Sequence, residues 1–201
     1  MQLTDPGDNR RAMSTRPRCE RCLRPPSTCL CGQVVPLVHT TPVLILQHPQ
    51  EAAHAKGSAR LLHGSLQDSR LEVGEAFDPD LLAAWCGDGA VLLYPADGAT
   101  TRMTAPVAPR RLVVIDATWR KSRRMLAVNP RLAALPRLSL DAPPPSRYAS
   151  RRAHRPDQRS TLEATLLALA ALEGEHPSHE HLLAAFDTLQ QAWLDRAPRT
   201  A

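Results

Sequence analysis

Asp116 is the residue in this chain best placed by type and context to do chemistry. It directly follows the apolar run Leu112-Val113-Val114-Ile115 and precedes a segment carrying Arg120, Lys121, Arg123 and Arg124. A carboxylate at the tip of a buried strand can accept a proton or hold a ligand cation. Thr118 can cap the following helix or hydrogen-bond a substrate, and Trp119 offers a flat face to a base or an adenine. The same residues also have a purely structural reading, in which Asp-Ala-Thr starts a helix and Trp119 belongs to the core. The local pattern leaves both readings open.

A second constellation is Cys19, Cys22, Cys29 and Cys31, spaced C-x2-C-x6-C-x-C. Two close pairs around the turn-forming Arg24-Pro25-Pro26-Ser27 can wrap four thiolates around a tetrahedral Zn2+. The closing C-x-C is tighter than the usual knuckle, and redox or free thiols are the alternatives. Disulfides fit less well, because residues 1–18 lack the apolar core of a secretion signal. A four-Cys site is coordinatively closed, so a structural metal is expected. Arg16, Arg18, Arg21 and Arg24 around it could touch RNA phosphates. Cys86, alone beside Trp85, reads as a small core residue. His176, His179 and His181 read as a solvated surface.

Charge narrows the partner. Residues 102–159 hold 14 Lys and Arg against three acids, a net of +11, while residues 25–101 carry −5 and residues 160–201 carry −4. A positive segment between acidic flanks suits a polyanion. A bias toward Arg over Lys explains the residue type but not the clustering. Aromatic residues make up only 3% of the chain, which disfavours a sheet paved with stacking rings. No apolar run approaches the roughly 18 residues of a membrane span. A cytoplasmic protein is expected, with residues 1–15 disordered.

The elements that must position these groups read as α/β. Residues 43–47, 90–94 and 112–115 look like buried parallel strands, each ending in polar or turn residues. Helices are expected over 51–63, 79–86 and 118–128. Residues 138–156, rich in Pro, Ser and Arg, read as a long functional loop. Ser160-Thr161-Leu162-Glu163 is a capping box opening a helix to about residue 172. A last amphipathic helix over 178–196 carries Leu182, Phe186, Leu189 and Trp193 on one stripe. In parallel sheets, ligands bind beyond the carboxyl ends of the strands. There is no G-x-G-x-x-G after the first strand, no P-loop and no G-x-S-x-G, so dinucleotides, nucleoside triphosphates and a serine hydrolase are disfavoured.

With these motifs in hand, the chain resembles the DTW-domain family, the tRNA-uridine aminocarboxypropyltransferases of the TDD superfamily. Asp116-Ala117-Thr118-Trp119 matches its D-x-T-W signature, and the four cysteines match its N-terminal cluster. Gln47-His48-Pro49-Gln50-Glu51 is similar to its Q-H-P-x-E segment, and Tyr94-Pro95 to its strand-end Y-P. Tyr148 with Arg151-Arg152, then Ser160-Thr161-Leu162-Glu163-Ala164, resembles its Y-x-x-R and S-T-x-E-A region. Lys56-Gly57-Ser58-Ala59-Arg60 departs from the family pattern and leaves the role of Ser58 open.

The resemblance implies a SPOUT-like fold with a mostly parallel sheet and a C-terminal knot. The implied organisation is a four-Cys zinc module over 16–35 and a catalytic domain over 36–201. It further implies transfer of the 3-amino-3-carboxypropyl group of S-adenosylmethionine to N3 of a tRNA uridine. The assignments expected from it are Asp116, Thr118 and Trp119 as catalytic; Leu93, Tyr94, Pro95, Leu138, Leu140, Ser160, Thr161 and Glu163 around the cofactor; and Arg120, Lys121, Arg123, Arg124, Tyr148, Arg151, Arg152 and His48 toward tRNA. Asp116 is expected either to take the N3 proton or to bind the cofactor's ammonium. Free N–H groups near Ser160 and Thr161 are expected to hold the methionine carboxylate. No membrane association is expected, and a monomer is compatible with the pattern. A SPOUT-type RNA methyltransferase and a non-catalytic zinc-dependent RNA-binding module are the rival readings.

Overall fold

A computed structural model describes residues 17–52, 54, 57–96, 111–140, 144–147 and 159–195. Five parallel strands form one sheet in the order β2-β1-β4-β3-β5. The central strands β1 (Val43–Gln47), β4 (Arg111–Asp116) and β3 (Ala90–Leu93) are the three apolar runs legible in the sequence. Every residue of β1 is buried, as expected for a strand covered on both faces. The flanking strands β2 (Ser69–Val73) and β5 (Arg137–Leu138) carry no such run. Ser-Arg-Leu-Glu-Val is half exposed at one edge and Arg-Leu only two residues long at the other, so neither has a hydrophobic signature.

Helices cover both faces. Val43, Ile45, Val91, Leu112, Val114 and Leu138 pack on one side with α2 (Ala59–Ser65), α6 (Thr161–Glu173) and α7 (Pro177–Asp195). Leu44, Leu46, Leu92 and Val113 pack on the other with α3 (Pro79–Trp85), α4 (Trp119–Val128) and α5 (Pro130–Ala133). The expected stripe on the last helix is the buried one: Leu182 and Phe186 are fully buried, and Leu189 and Trp193 nearly so. The helix expected over 51–63 is instead two, α1 (Pro49–Ala52) and α2. Gly57 lies at the break, where its carbonyl accepts from Arg24 Nη2 at 2.8 Å and its N–H donates to His54 O.

The cysteine segment shares the core of the sheet domain. Cys22 and Leu30 are buried in the same cluster as β1. Arg24 was expected on the surface of this segment. It is buried, tied to Gly57 O and placed 5.9 Å over the Trp193 ring, so it is not offered to a phosphate. His179 likewise corrects the expectation of a solvated histidine cluster. The His176 ring accepts the Ser178 N–H at the start of α7, and His179 turns inward, where burial lowers its pKa. Cys86 is half-buried against the second cluster, and burial pushes its thiol up to about 11. The stretch between β5 and α6, where a knot is implied, lies largely outside the described residues. Among the described residues no helix is long and apolar enough to cross a membrane.

Candidate active site

Connections leaving β1 enter the face covered by α2, whereas β4 continues into α4 on the opposite face. Adjacent strands whose connections diverge open a crevice beyond their carboxyl ends. β1 ends on Gln47 and β4 on Asp116, which are register partners. The Asp116 carboxylate is nearly buried, with 8% exposure. Its Oδ2 accepts from Gln47 Nε2 at 2.7 Å and its Oδ1 from Thr161 Oγ1 at 2.5 Å. Three segments far apart in sequence therefore converge on one carboxylate.

The structural reading of this motif holds for the helix start and not for the tryptophan. Thr118 is the N-cap of α4 in an extended conformation, but its side chain makes no capping bond. Trp119 is 47% exposed rather than a core residue. It meets Tyr94 edge-on, with centroids 5.6 Å apart. The Arg137 guanidinium lies 5.2 Å from the Tyr94 ring centroid, and the Tyr94 hydroxyl bonds Ser122 Oγ at 2.9 Å. The β3 and β5 tips are joined: Tyr94 N donates to Leu138 O, and Ser139 Oγ accepts from Ala96 N at 2.7 Å. Leu93 pairs with Leu138, and both pack with Leu140 on the α6 face. Leu93, Tyr94, Pro95, Leu138 and Leu140 thus lie at the same carboxyl-terminal end of the sheet as Asp116.

Other expected site residues are engaged elsewhere. Glu163, expected at the cofactor, is buried and closes the capping box. Its carboxylate accepts from Ser160 N at 2.9 Å, from Ser146 Oγ at 3.0 Å and from Arg147 N at 2.6 Å. It anchors residues 144–147 rather than offering an oxygen to a ligand. The start of α6 is also largely satisfied from within: Leu162 N donates to Ser58 Oγ at 3.4 Å and Glu163 N to Ser160 Oγ at 3.2 Å. Little of this helix end is left for a carboxylate. The same contact gives Ser58 its place, joining α2 to α6.

The basic residues divide. Arg120 and Arg123 are exposed and have no ion pair among the described residues. Lys121 pairs with Glu51 at 2.8 Å, with both side chains largely buried, and Arg124 pairs with Glu75 at 2.8 Å. His48, expected toward RNA, is buried: its Nδ1 accepts from Gln50 N and its Nε2 lies 2.8 Å from Glu75 Oε1. The backbone bond fixes the tautomer, so Nε2 carries the proton and donates. Arg124 and then His48 hold the Glu75 carboxyl below its usual range. Arg147 is committed to Glu180 and Asp187. Tyr148, Arg151 and Arg152 lie outside the described residues. Gln47, Ser58 and Glu75 are the site contributors that the reading by residue type passed over. The signals for Gln47 were its position, a polar residue closing an apolar strand, and its place in the Q-H-P segment.

The four cysteine sulfurs lie within 4.8 Å of one another, with 3.6 Å between Cys19 and Cys31 and 3.7 Å between Cys22 and Cys29. A tetrahedron of Zn–S bonds of about 2.3 Å has edges of about 3.8 Å, so the donor set fits Zn2+. Leu23, at φ 56°, makes the tight turn after Cys22. Backbone N–H groups of Cys22 and Arg21 draw the Cys19 thiol down to about 6, whereas burial and its neighbouring sulfurs push Cys31 up to about 12. Four thiols this close cannot all ionise without a cation between them.

Comparison with known proteins identifies the family. The DTW domain family is matched over residues 16–194. The chain belongs to the DTW domain family. A mouse protein named tRNA-uridine aminocarboxypropyltransferase 2 is 32% identical over 188 residues, covering 87% of this chain and 62% of its own length. The Drosophila melanogaster protein of that name is 29% identical, covering 90% of this chain and 76% of its own. An Arabidopsis thaliana protein named tRNA-uridine aminocarboxypropyltransferase A is 28% identical over 147 residues, covering 61% of this chain and 54% of its own. The chain thus spans about three fifths of the length of the mouse relative. No solved structure matches it. The family's name-giving D-x-T-W motif is therefore the segment that the sheet brings to the β1/β4 crevice.

Proposed function

We propose that this DTW-domain protein is a tRNA-uridine aminocarboxypropyltransferase that uses S-adenosylmethionine. The observation that carries the reading is the clamp on Asp116, which gathers the Q-H-P, D-A-T-W and S-T-x-E segments onto one carboxylate at the strand crevice. S-adenosylmethionine would supply an electrophilic methylene beside its sulfonium. The transfer forms a bond from uracil N3 to that methylene and breaks the carbon–sulfur bond. The bonding pair passes to sulfur, which releases methylthioadenosine, and the N3 proton is lost.

Within this reading Asp116 accepts the N3 proton. Among the described residues, Gln47 and Thr161 each donate to one of its oxygens, which fixes the orientation of the carboxylate. Leu93, Leu138 and Leu140 give the edge an apolar floor for an adenosine, with Tyr94 and Pro95 alongside. Trp119, half exposed beside Arg120 and Arg123, is the surface on which the target base stacks, its phosphates drawn by the two arginines. The four-Cys site holds a structural Zn2+.

The test is incubation of the purified protein with unmodified tRNA and S-adenosylmethionine. Methylthioadenosine and an aminocarboxypropyl-uridine should appear together. A methylated nucleoside with S-adenosylhomocysteine would instead make it a methyltransferase. tRNA binding without any product would leave it an RNA-binding module.

A further inference from the structure

The carboxylate clamp contains one residue that is only half satisfied among the described residues, its donor spent on Asp116 and its acceptor on nothing. Gln47 is 1% exposed, so it does not reach a substrate. Its Nε2 donates to Asp116 Oδ2 at 2.7 Å, but its Oε1 is buried with no hydrogen-bond partner. An unsatisfied buried acceptor costs about 1–3 kcal/mol. The preceding residues Val43, Leu44, Ile45 and Leu46 are all apolar and buried, and a Met of similar length would continue that run without an orphaned oxygen. The backbone here is held on both sides: Gly74 N donates to Gln47 O at 3.0 Å and His48 N to Asp116 O at 3.0 Å. The amide therefore has a fixed origin, and Asp116 is its register partner on the neighbouring strand. Departures from local packing rules gather at functional sites.

We propose that Gln47 is a positioning residue for proton transfer, its amide orienting and electrostatically setting the Asp116 carboxylate without touching substrate. The inference rests on the reading of Asp116 as proton acceptor. A donor on Oδ2 stabilises the ionised form; without it the carboxylate holds its proton to higher pH. Among the described residues, several charged groups on the surrounding elements are paired with one another, while Arg120 and Arg123 of α4 stay exposed. His48 and Arg124 meet Glu75, Lys121 meets Glu51, and Glu163 is taken up by Ser146, Arg147 and Ser160. Gln47 and Thr161 are the described groups that bond the carboxylate directly.

The experiment measures kcat against pH for the full chain and for Gln47→Met, Gln47→Glu and Asp116→Asn, with thermal melts as folding controls. Gln47→Met should lower kcat at neutral pH about 10-fold or more, leave both KM values within a few-fold, and move the acid limb up by about one pH unit. Gln47→Glu should move the limb further, because two carboxylates in contact share a proton, and activity should recover at high pH. Asp116→Asn should abolish that limb and leave only a rise at alkaline pH, where the uracil N3–H ionises unaided. If Asp116→Asn abolishes it but both folded Gln47 variants keep it at the wild-type position, Gln47 only fills space and the inference is overturned. If Asp116→Asn keeps the limb, the Asp116 assignment itself falls, and the role of Gln47 falls with it.

Discussion

Replacing Asp116 by Asn removes one charge and almost no volume, so its effect on the two bonds described for the clamp can be worked out. Thr161 Oγ1 can go on donating to Oδ1. The new Nδ2 would face the Gln47 Nε2 donor, but Gln47 can turn its amide and present Oε1, which now has no partner. The exchange trades one orphaned atom for another, costing about 1 kcal/mol or less. For a domain of this size that is a melting shift of no more than about 4 °C. Catalysis should respond quite differently. Loss of a general base typically costs about 10²–10⁴-fold, equivalent to about 3–5 kcal/mol of barrier. The assay is single-turnover formation of methylthioadenosine and modified uridine on unmodified tRNA, from pH 6 to pH 9. The variant should be slow at neutral pH and gain rate as the uracil N3–H begins to ionise unaided. A variant that melts like wild type and reacts within about tenfold of it at neutral pH would refute the argument. A loss confined to cofactor affinity would make Asp116 a ligand of the ammonium instead.

Four further outcomes follow from the structure. Trp119→Ala should leave the melting temperature nearly unchanged, since the ring is 47% exposed, while raising the KM for tRNA about tenfold; unchanged tRNA affinity would remove the stacking role. Cys22→Ser, or a strong chelator, should release one Zn2+ per chain by elemental analysis and lower the melting point, because Cys22 and Leu30 lie in the main core; a metal-free wild type of equal stability would contradict the site. Phe186→Ala should cost about 3–5 kcal/mol in denaturant unfolding, as the ring is fully buried and meets Trp193 edge-on at 6.4 Å. Glu173 takes the N–H groups of Thr41 at 2.6 Å and Thr40 at 2.9 Å. Burial opposes its ionisation, yet these donors leave its carboxyl below the usual 4.5. A lowered folded value stabilises the protein above the unfolded value and loses that effect as pH falls through the folded one. Glu173→Gln should therefore flatten the stability profile below about pH 4.5, as read from unfolding at stepped pH.

The local chemistry of this chain is written in its sequence. Buried runs marked the three central strands, the capping box marked the start of α6, and the cysteine spacing marked the cluster whose sulfurs do converge. These features depend on residues within a few positions of each other, where periodicity and spacing carry the information. The edge strands were silent because a half-exposed strand and a two-residue strand bury too little to leave a pattern. Partnership was the other thing that only the tertiary structure decided. Nothing near Lys121, Arg124 or His48 in sequence tells that their charges or ring nitrogens are already spent on neighbours up to 70 residues away, nor that Glu163 also holds residues 146 and 147. Nor does any local pattern bring Gln47, Asp116 and Thr161 together. Parallel strand register and the docking of α6 do that, because a hydrogen bond across a sheet is set by which strands lie side by side.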